Sequence, residues 1–427
     1  MCLLSFGRTR RFTPTKERKM KFFVIGIDDN QKQYFSPEIL DVINNHIIFS
    51  GGARHHEIVK PFLPEGYLWI DINVPLSNVF EQYKQHTEIV VFASGDPLFF
   101  GFANTIQREI PDSAIILYPS FNSLQMLAHR LLIPYQGMHI VSLTGRPWDK
   151  FDEALILGYD KIGVLTDNKE HTPSAIAGRM LEYGYDNYRM SIGELLGNKE
   201  KERVSTWELQ EVTDKEFSFP NNLILQKTYT RPRPFGIPES EFHLLNGRAK
   251  MITKMPIRLL SLSLLDLRDK EIFWDVGFCT GSVSIEAKMQ FPHLKIFAFE
   301  KREEGRELMK LNSQKFGTPG IQTFIGDFLE MYISDLPKPD AVFIGGHGGK
   351  MDEIVAKISE VLQPNGTIVF NSVSDESREM FLETIEKNNL KLEQNIKIGV
   401  DNFNVIEVMK TAPYIPQGEF IPPQWGG

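Results

Sequence analysis

The chain is poor in cysteine, in excess positive charge and in long apolar runs, and each shortage excludes something. Its 427 residues hold 2 cysteines, Cys2 and Cys279, too few for a disulfide framework or a cysteine-built zinc cluster. A reducing cytoplasm is the expected compartment. Acidic residues outnumber basic ones, 55 to 47, and the net charge of −8 argues against non-specific nucleic-acid binding. Any polyanionic ligand must therefore meet a local basic patch. No uninterrupted apolar run approaches the roughly 20 residues that span a bilayer. Metal-ligand spacing is lacking too: His55-His56 have no third partner nearby, so they read as loop histidines and no metal is expected. Residues 1–20 set Arg8, Arg10, Arg11, Lys16, Arg18 and Lys19 against a single acid, Glu17, without an apolar core. They read as a disordered extension, with Met20 as the expected start.

What is present centres on Phe273–Glu286. An apolar strand ends at Asp275, Gly277 and Gly281 follow, and a helix starts at about Ser282. Such glycines let backbone turn sharply and approach a ligand, and the helix N-terminus offers free N–H groups. A second apolar run, 295–299, ends in Glu300, about where doubly wound folds hold ribose hydroxyls. A dinucleotide loop would need a third glycine, whereas this loop reads Phe278-Cys279-Thr280 and its leading Asp275 would repel phosphate. Asp275 suits an ammonium group instead, and Asp327, after a third strand, suits an adenine amino group. In that order, Asp275, Gly277, Gly281, Glu300 and Asp327 resemble the S-adenosylmethionine site of class I methyltransferases.

The N-terminal half alternates strands and helices, which argues for a largely parallel α/β sheet. Strands are expected at 21–27, 47–49, 114–118, 139–143 and 161–165, with 88–101 a strand running into a glycine-acid-proline loop, and a helix from the Ser36-Pro37 cap pair with Ile39, Leu40 and Ile43 on one face. Within it, Ser94-Gly-Asp-Pro-Leu-Phe-Phe-Gly101 resembles the signature loop of the tetrapyrrole methylases. Pro119–Ser123, Leu143–Arg146, Thr166–Asn168 and Ile192–Leu195 resemble that family's later motifs in the same order. The resemblance implies two α/β lobes enclosing folded S-adenosylmethionine, with Gly95, Asp96 and Pro97 at its methionine part and Ser120 and Ser123 nearby. The loop after the first strand, Ile25–Asn30, departs from the family's glycine-rich pattern. Substrate handling by this half is the point it puts in question.

Residues 229–236, with two prolines and two arginines, read as an extended linker. Beyond it, Thr253-Lys254, Trp274–Gly277 and Phe343–Gly346 resemble the C15-methylating, decarboxylating methyltransferases of cobalamin synthesis. Strands are expected at 339–344 and 367–371, then an antiparallel pair at 395–400 and 404–409. The expected organisation is therefore an extension (1–20), a two-lobed tetrapyrrole-methylase (class III) domain (21–228), the linker, a class I Rossmann-like domain (237–411) and a proline-rich tail (412–427). The resemblance implies a bifunctional enzyme that methylates a precorrin-6B-type tetrapyrrole at C5 and C15 and decarboxylates its C12 acetate. It also implies S-adenosylmethionine as cofactor and places Thr253 at it, with Gly345 and Gly346 at the substrate.

The substrate's carboxylates need cations. Candidates are Arg54, His55, His56 and Lys60, then Arg248, Lys250, Lys254 and Arg258; Arg54, Lys254 and Arg258 are favoured. Thr253 is also expected to cap the helix that carries Arg258. His347, flanked by glycine pairs at a strand's carboxyl end, is the candidate for proton transfer. The aromatic residues of 99–102 and 332–343 are expected in cores. The expected partners are an anionic tetrapyrrole and further copies of the chain, with neither nucleic acid nor membrane. These motifs fit metal-free and cobalt-bearing substrates equally, and they fit a first half that only binds.

Overall fold

The computed structural model describes residues 19–247, 251–399 and 405–413. Arg248, Lys250, the bulk of the extension and most of the tail lie outside the described residues. The chain forms two compact units, one of residues 1–136 with 192–205 and 217–224, the other of 137–191, 206–216 and 225–427.

The first sheet comprises β1 (Lys21–Ile27), β2 (Ile48–Gly51), β3 (Leu68–Asp71), β4 (Glu88–Ser94) and β5 (Ala114–Tyr118). Its order is β3-β2-β4-β1-β5, with every pair parallel. The central strands are near-continuous apolar runs because both faces are covered. Phe22, Val24, Ile89 and Val91 fill one core, and Phe23, Ile25, Val90 and Phe92 the other. The helix Pro37–Asn44 starts as expected, Ser36 Oγ accepting from Ile39 N–H at 3.3 Å. The second sheet comprises β6 (His139–Ser142), β7 (Lys161–Leu165), β8 (Tyr188–Glu194), β9 (Arg203–Glu208) and β10 (Asn221–Lys227), ordered β6-β7-β10-β8-β9.

The third sheet comprises β11 (Ile272–Val276), β12 (Lys295–Glu300), β13 (Ile321–Ile325), β14 (Ala341–Ile344), β15 (Thr367–Ser372), β16 (Leu390–Gly399) and β17 (Val405–Pro413). Its order is β13-β12-β11-β14-β15-β17-β16; the first five are parallel, and β17 runs antiparallel to both β15 and β16. Alternation along β11 sends Trp274 into one core and Phe273 into the other. The chain order reverses at β11, between β12 and β14, which leaves a crevice at the strands' carboxyl ends.

Two helices of this sheet depart from simple amphipathic patterning. Ser282–Gln290 is buried along nearly its whole length, its polar side chains included. Three of those are partnered: Ser284 on Asp275, Glu286 on Arg258, and Lys288 on the carbonyls of Pro292 and Leu294. Contrary to the expectation from sequence, Met255–Leu265 is not capped by Thr253. Lys254 is its N-cap residue and makes no side-chain cap bond, while the Glu239 carboxylate accepts from Met255 N–H.

The linker arginines are also engaged. Arg233 Nε donates to Met289 O at 2.8 Å, and Arg231 Nη2 to Lys315 O at 3.2 Å. Both acceptors sit in the last turn of a helix, where carbonyls lack intrahelical donors and favour cations.

Candidate functional site

In the first unit, backbone bonds stitch three strand ends together. Gly95 N–H donates to Ile27 O at 2.8 Å, and Ser120 N–H to Gly95 O at 3.3 Å. Gly95 has φ +61, and a Cβ there would lie 2.9 Å from Asn122 Cα. A side chain is thus excluded twice, by conformation and by space. Asp96 Oδ1 accepts from Leu98 N–H at 2.9 Å, and Pro97 is buried under Gly101. Ser123 opens the helix Ser123–Leu131, which Asn122 caps by accepting from Gln125 N–H at 2.9 Å. Gly95, Asp96, Pro97, Ser120 and Ser123 therefore gather at the carboxyl ends of β4 and β5.

Arg54 is held beside them. Its guanidinium donates to Asp29 at 3.0 Å and to Ser94 Oγ at 2.9 Å. His55 and His56 lie on the helix Ala53–Val59, not on a loop as expected. His55 Nε2 meets Ser94 Oγ at 2.9 Å, and burial helped by Arg54 pushes its pKa down to about 4. His56 stacks on Trp69 with centroids 4.2 Å apart. The Asp28–Asn30 loop is closed on itself, Asp28 Oδ1 accepting from Asn30 N–H at 3.0 Å and from Gln33 Nε2 at 2.8 Å. Aromatic residues divide here: Phe102 packs on Phe80, whereas Phe100 is 46% exposed, contrary to its expected core place.

In the second unit a cavity of about 710 Å³ opens at the carboxyl ends of β11 to β15. It gathers Thr253, Lys254, Gly277, Glu300, Asp327, Gly345, Gly346 and His347 from five separate stretches of the expected site. Gly277 (φ +81) would place a Cβ 2.8 Å from Gly346 N, and Gly345 one 2.9 Å from Gly277 O. The ends of β11 and β14 thus touch backbone to backbone, and only glycines permit it. Glu300, nearly buried, accepts from Cys279 N–H at 2.9 Å and Arg302 N–H at 3.0 Å. Asp327 accepts from Lys301 Nζ at 2.8 Å and Leu329 N–H at 3.1 Å, and the Lys301 ammonium holds its pKa below the usual carboxylate range.

His347 has its tautomer set by the backbone. Gly349 N–H donates to Nδ1 at 3.2 Å, so the neutral ring carries its proton on Nε2. Burial lowers its pKa, which favours that neutral form. The ring therefore presents a hydrogen-bond donor.

Three expected site residues lie elsewhere. Asp275 is fully buried and does not line the cavity. Its Oδ2 accepts from Ser284 N–H at 3.1 Å and Ser284 Oγ at 2.6 Å, so it caps the helix that Gly281, lacking a side chain, cannot. Burial pushes its pKa up to about 7, and Oδ1 has no hydrogen-bond partner among the described residues. Gly281 (φ +77) is required by Met309, whose Sδ would lie 2.6 Å from a Cβ. Arg258 is 0% exposed and cannot grip a substrate carboxylate. It pairs with buried Glu286 and donates to Thr253 O and Ile237 O. A basic residue after an apolar stretch reads alike whether it faces ligand or core. Tyr332, 74% exposed, also departs from its expected core place.

Sequence reasoning missed Lys301, Arg302 and Lys350, which supply cations to the cavity wall. The signal available was position, since Lys301 and Arg302 directly follow the β12 carboxylate. Against Glu300 and Asp327, the cations Lys254, Lys301, Arg302 and Lys350 leave a local surplus of two positive charges (four minus two) in a chain of net charge −8.

Fold and cavity together define a doubly wound α/β enzyme of the methyltransferase class. A family model described as the precorrin methyltransferase domain matches residues 246–407. The precorrin-6Y C(5,15)-methyltransferase [decarboxylating] of Sinorhizobium sp is 29% identical over 367 residues, covering 84% of this chain and 86% of that protein. The cobalt-precorrin-6B C(15)-methyltransferase (decarboxylating) of Salmonella typhimurium is 36% identical over 133 residues, 31% of this chain and 68% of that protein. A crystal structure of precorrin-6y C5,15-methyltransferase from Geobacter metallireducens is 30% identical, with 43% of this chain and 100% of that one covered at a TM-score of 0.39. The chain belongs to the decarboxylating precorrin methyltransferases.

Proposed function

We propose that this chain is a bifunctional S-adenosylmethionine-dependent enzyme of corrin synthesis. In this reading, residues 21–228 methylate C5 of a precorrin-6B-type tetrapyrrole. Residues 237–411 methylate C15 and remove the C12 acetate carboxyl as carbon dioxide. The observation that carries it is the convergence of Gly277, Glu300, Asp327, Gly345 and Gly346 on one cavity. The glycine contact leaves room where a Cβ would stand, which fits close approach of the cofactor's methionine part. Glu300 keeps acceptor capacity for ribose hydroxyls beyond its two amide bonds, and Asp327 for the adenine amino group.

When bound, S-adenosylmethionine supplies an electrophilic methyl group, so the protein's task is alignment. Lys254, Lys301, Arg302 and Lys350 together make this wall of the cavity positive towards substrate carboxylates, with Lys301 and Arg302 also facing Asp327 and Glu300. His347 donates a hydrogen bond through Nε2 rather than abstracting a proton. Asp275 acts through the helix it caps. In the first half, the Ser94–Gly101 loop and Arg54 beside Ser94 are the matching features.

Titration of the full chain with S-adenosylhomocysteine tests this reading. Two equivalents should bind, falling to one in Gly95→Ala and one in Gly277→Ala. Binding of a single equivalent would remove the C5 half from the proposal, and binding of none would remove both.

A further inference from the structure

A single helical turn, Asp327 to Met331, follows β13 and walls the cavity with Asp327, Phe328 and Leu329. Its beginning is satisfied internally: Asp327 O accepts from Glu330 N–H at 2.9 Å and Met331 N–H at 3.2 Å. One turn is too short to satisfy its own final carbonyls. Lys357, from the helix Met351–Ser359, meets them instead. Its Nζ donates to Phe328 O at 2.8 Å, Leu329 O at 2.8 Å and Met331 O at 2.6 Å. An ammonium group has three protons, and all three are spent on this one turn. The same Nζ lies 5.4 Å from the Phe328 ring centroid. That ring packs in turn on Phe299 and Trp274, with centroids 5.1 and 6.4 Å away.

Lys357 itself does not line the cavity. Any influence on a ligand must therefore pass through the turn. We propose that Lys357 is a positioning residue for the cofactor: it clamps the 327–331 turn so that Asp327 and its neighbours hold the shape the adenosyl group binds. This rests on reading the cavity as the S-adenosylmethionine site. The clamp is directional. A neutral, unbranched side chain such as methionine keeps most of the packing but leaves three carbonyls without a donor, and the turn loosens towards the ligand.

The test compares full-length wild type, Lys357→Met and Lys357→Arg by calorimetric titration with S-adenosylhomocysteine, steady-state kinetics and hydrogen exchange. Lys357→Met should weaken binding at the second-half site about tenfold and raise the cofactor KM in parallel. Its kcat at saturating cofactor should stay within about twofold, since the reacting atoms are untouched. Amides of 327–331 should exchange faster while those of β11 and β12 keep their protection. Lys357→Arg retains the charge and should recover part of the affinity, which keeps the test decisive if the methionine variant folds poorly. Wild-type affinity in Lys357→Met, or unchanged exchange of the turn, would overturn the clamp alone. Failure of wild type to bind the probe would overturn the cofactor reading and the clamp with it.

Discussion

Replacing Arg258 by methionine probes a buried charge that the fold cannot leave alone. Arg258 and Glu286 are both 0% exposed, with Nε 3.3 Å from Oε2. The guanidinium also serves Thr253 O at 2.8 Å and Ile237 O, and lies 5.1 Å from the Phe242 ring. Methionine keeps most of the apolar stem but strips three acceptors of their donor. Breaking a buried pair from one side costs about 3–5 kcal/mol. Glu286 still accepts from Gly236 N–H at 2.9 Å and Ile237 N–H at 3.0 Å, which favours the lower end, about 3 kcal/mol. For a unit of this size that is roughly 6–12 °C in Tm. Urea unfolding and thermal unfolding of the full chain read both quantities. Arg258→Met combined with Glu286→Leu should regain much of the loss, because no charge is then stranded. A loss below about 1 kcal/mol in the single variant would refute the keystone role and reopen Arg258 as a ligand.

Three further predictions follow from the same geometry. Asp275 holds its proton more tightly folded, with a pKa near 7 against 3.8, so its contribution to stability is complete below about pH 4 and is lost as pH rises through 7; the difference in urea midpoint between wild type and Asp275→Asn should fall across that window, and a flat difference would contradict the buried-acid assignment. Gly277→Ala should abolish decarboxylation and C15 methylation while sparing C5, and Gly95→Ala the reverse, read by product mass; loss of both activities in either variant would contradict two separate sites. His347→Gln, whose amide nitrogen can stand in for Nε2, should keep most of the second-half kcat/KM, whereas His347→Asn should lose it; an inactive glutamine variant together with an acid limb in the wild-type pH profile would restore the proton-transfer role.

How legible the sequence was depended on which force set each residue. β1 and β7 lie where their apolar runs predict, because buried parallel strands leave an unbroken signal, and the edge strand β5 also lies at its expected place. Glycine positions were equally readable: Gly95 and Gly277 are fixed by positive φ and backbone contact, which no other residue satisfies. The glycine-acid spacing led to the cavity for the same reason. Polar residues were less legible. Asp275 and Arg258 carry charges that in sequence look like ligand contacts, and only packing shows one capping a helix and the other buried on Glu286. The helix Ser282–Gln290 buries polar and apolar side chains alike from Ser282 to Met289, so periodicity carried no sidedness. Lys357 gave no sequence signal because its partners are carbonyls, which every residue has.

The measurement that bears most directly on the central claim is mass spectrometry of a precorrin-6B-type substrate incubated with the full chain and methyl-labelled S-adenosylmethionine. Two labelled methyl groups gained and one carbon dioxide lost are the predicted product. One labelled methyl with decarboxylation would confine catalysis to the second half. Unchanged substrate, in both its metal-free and cobalt-bearing forms, would contradict the account.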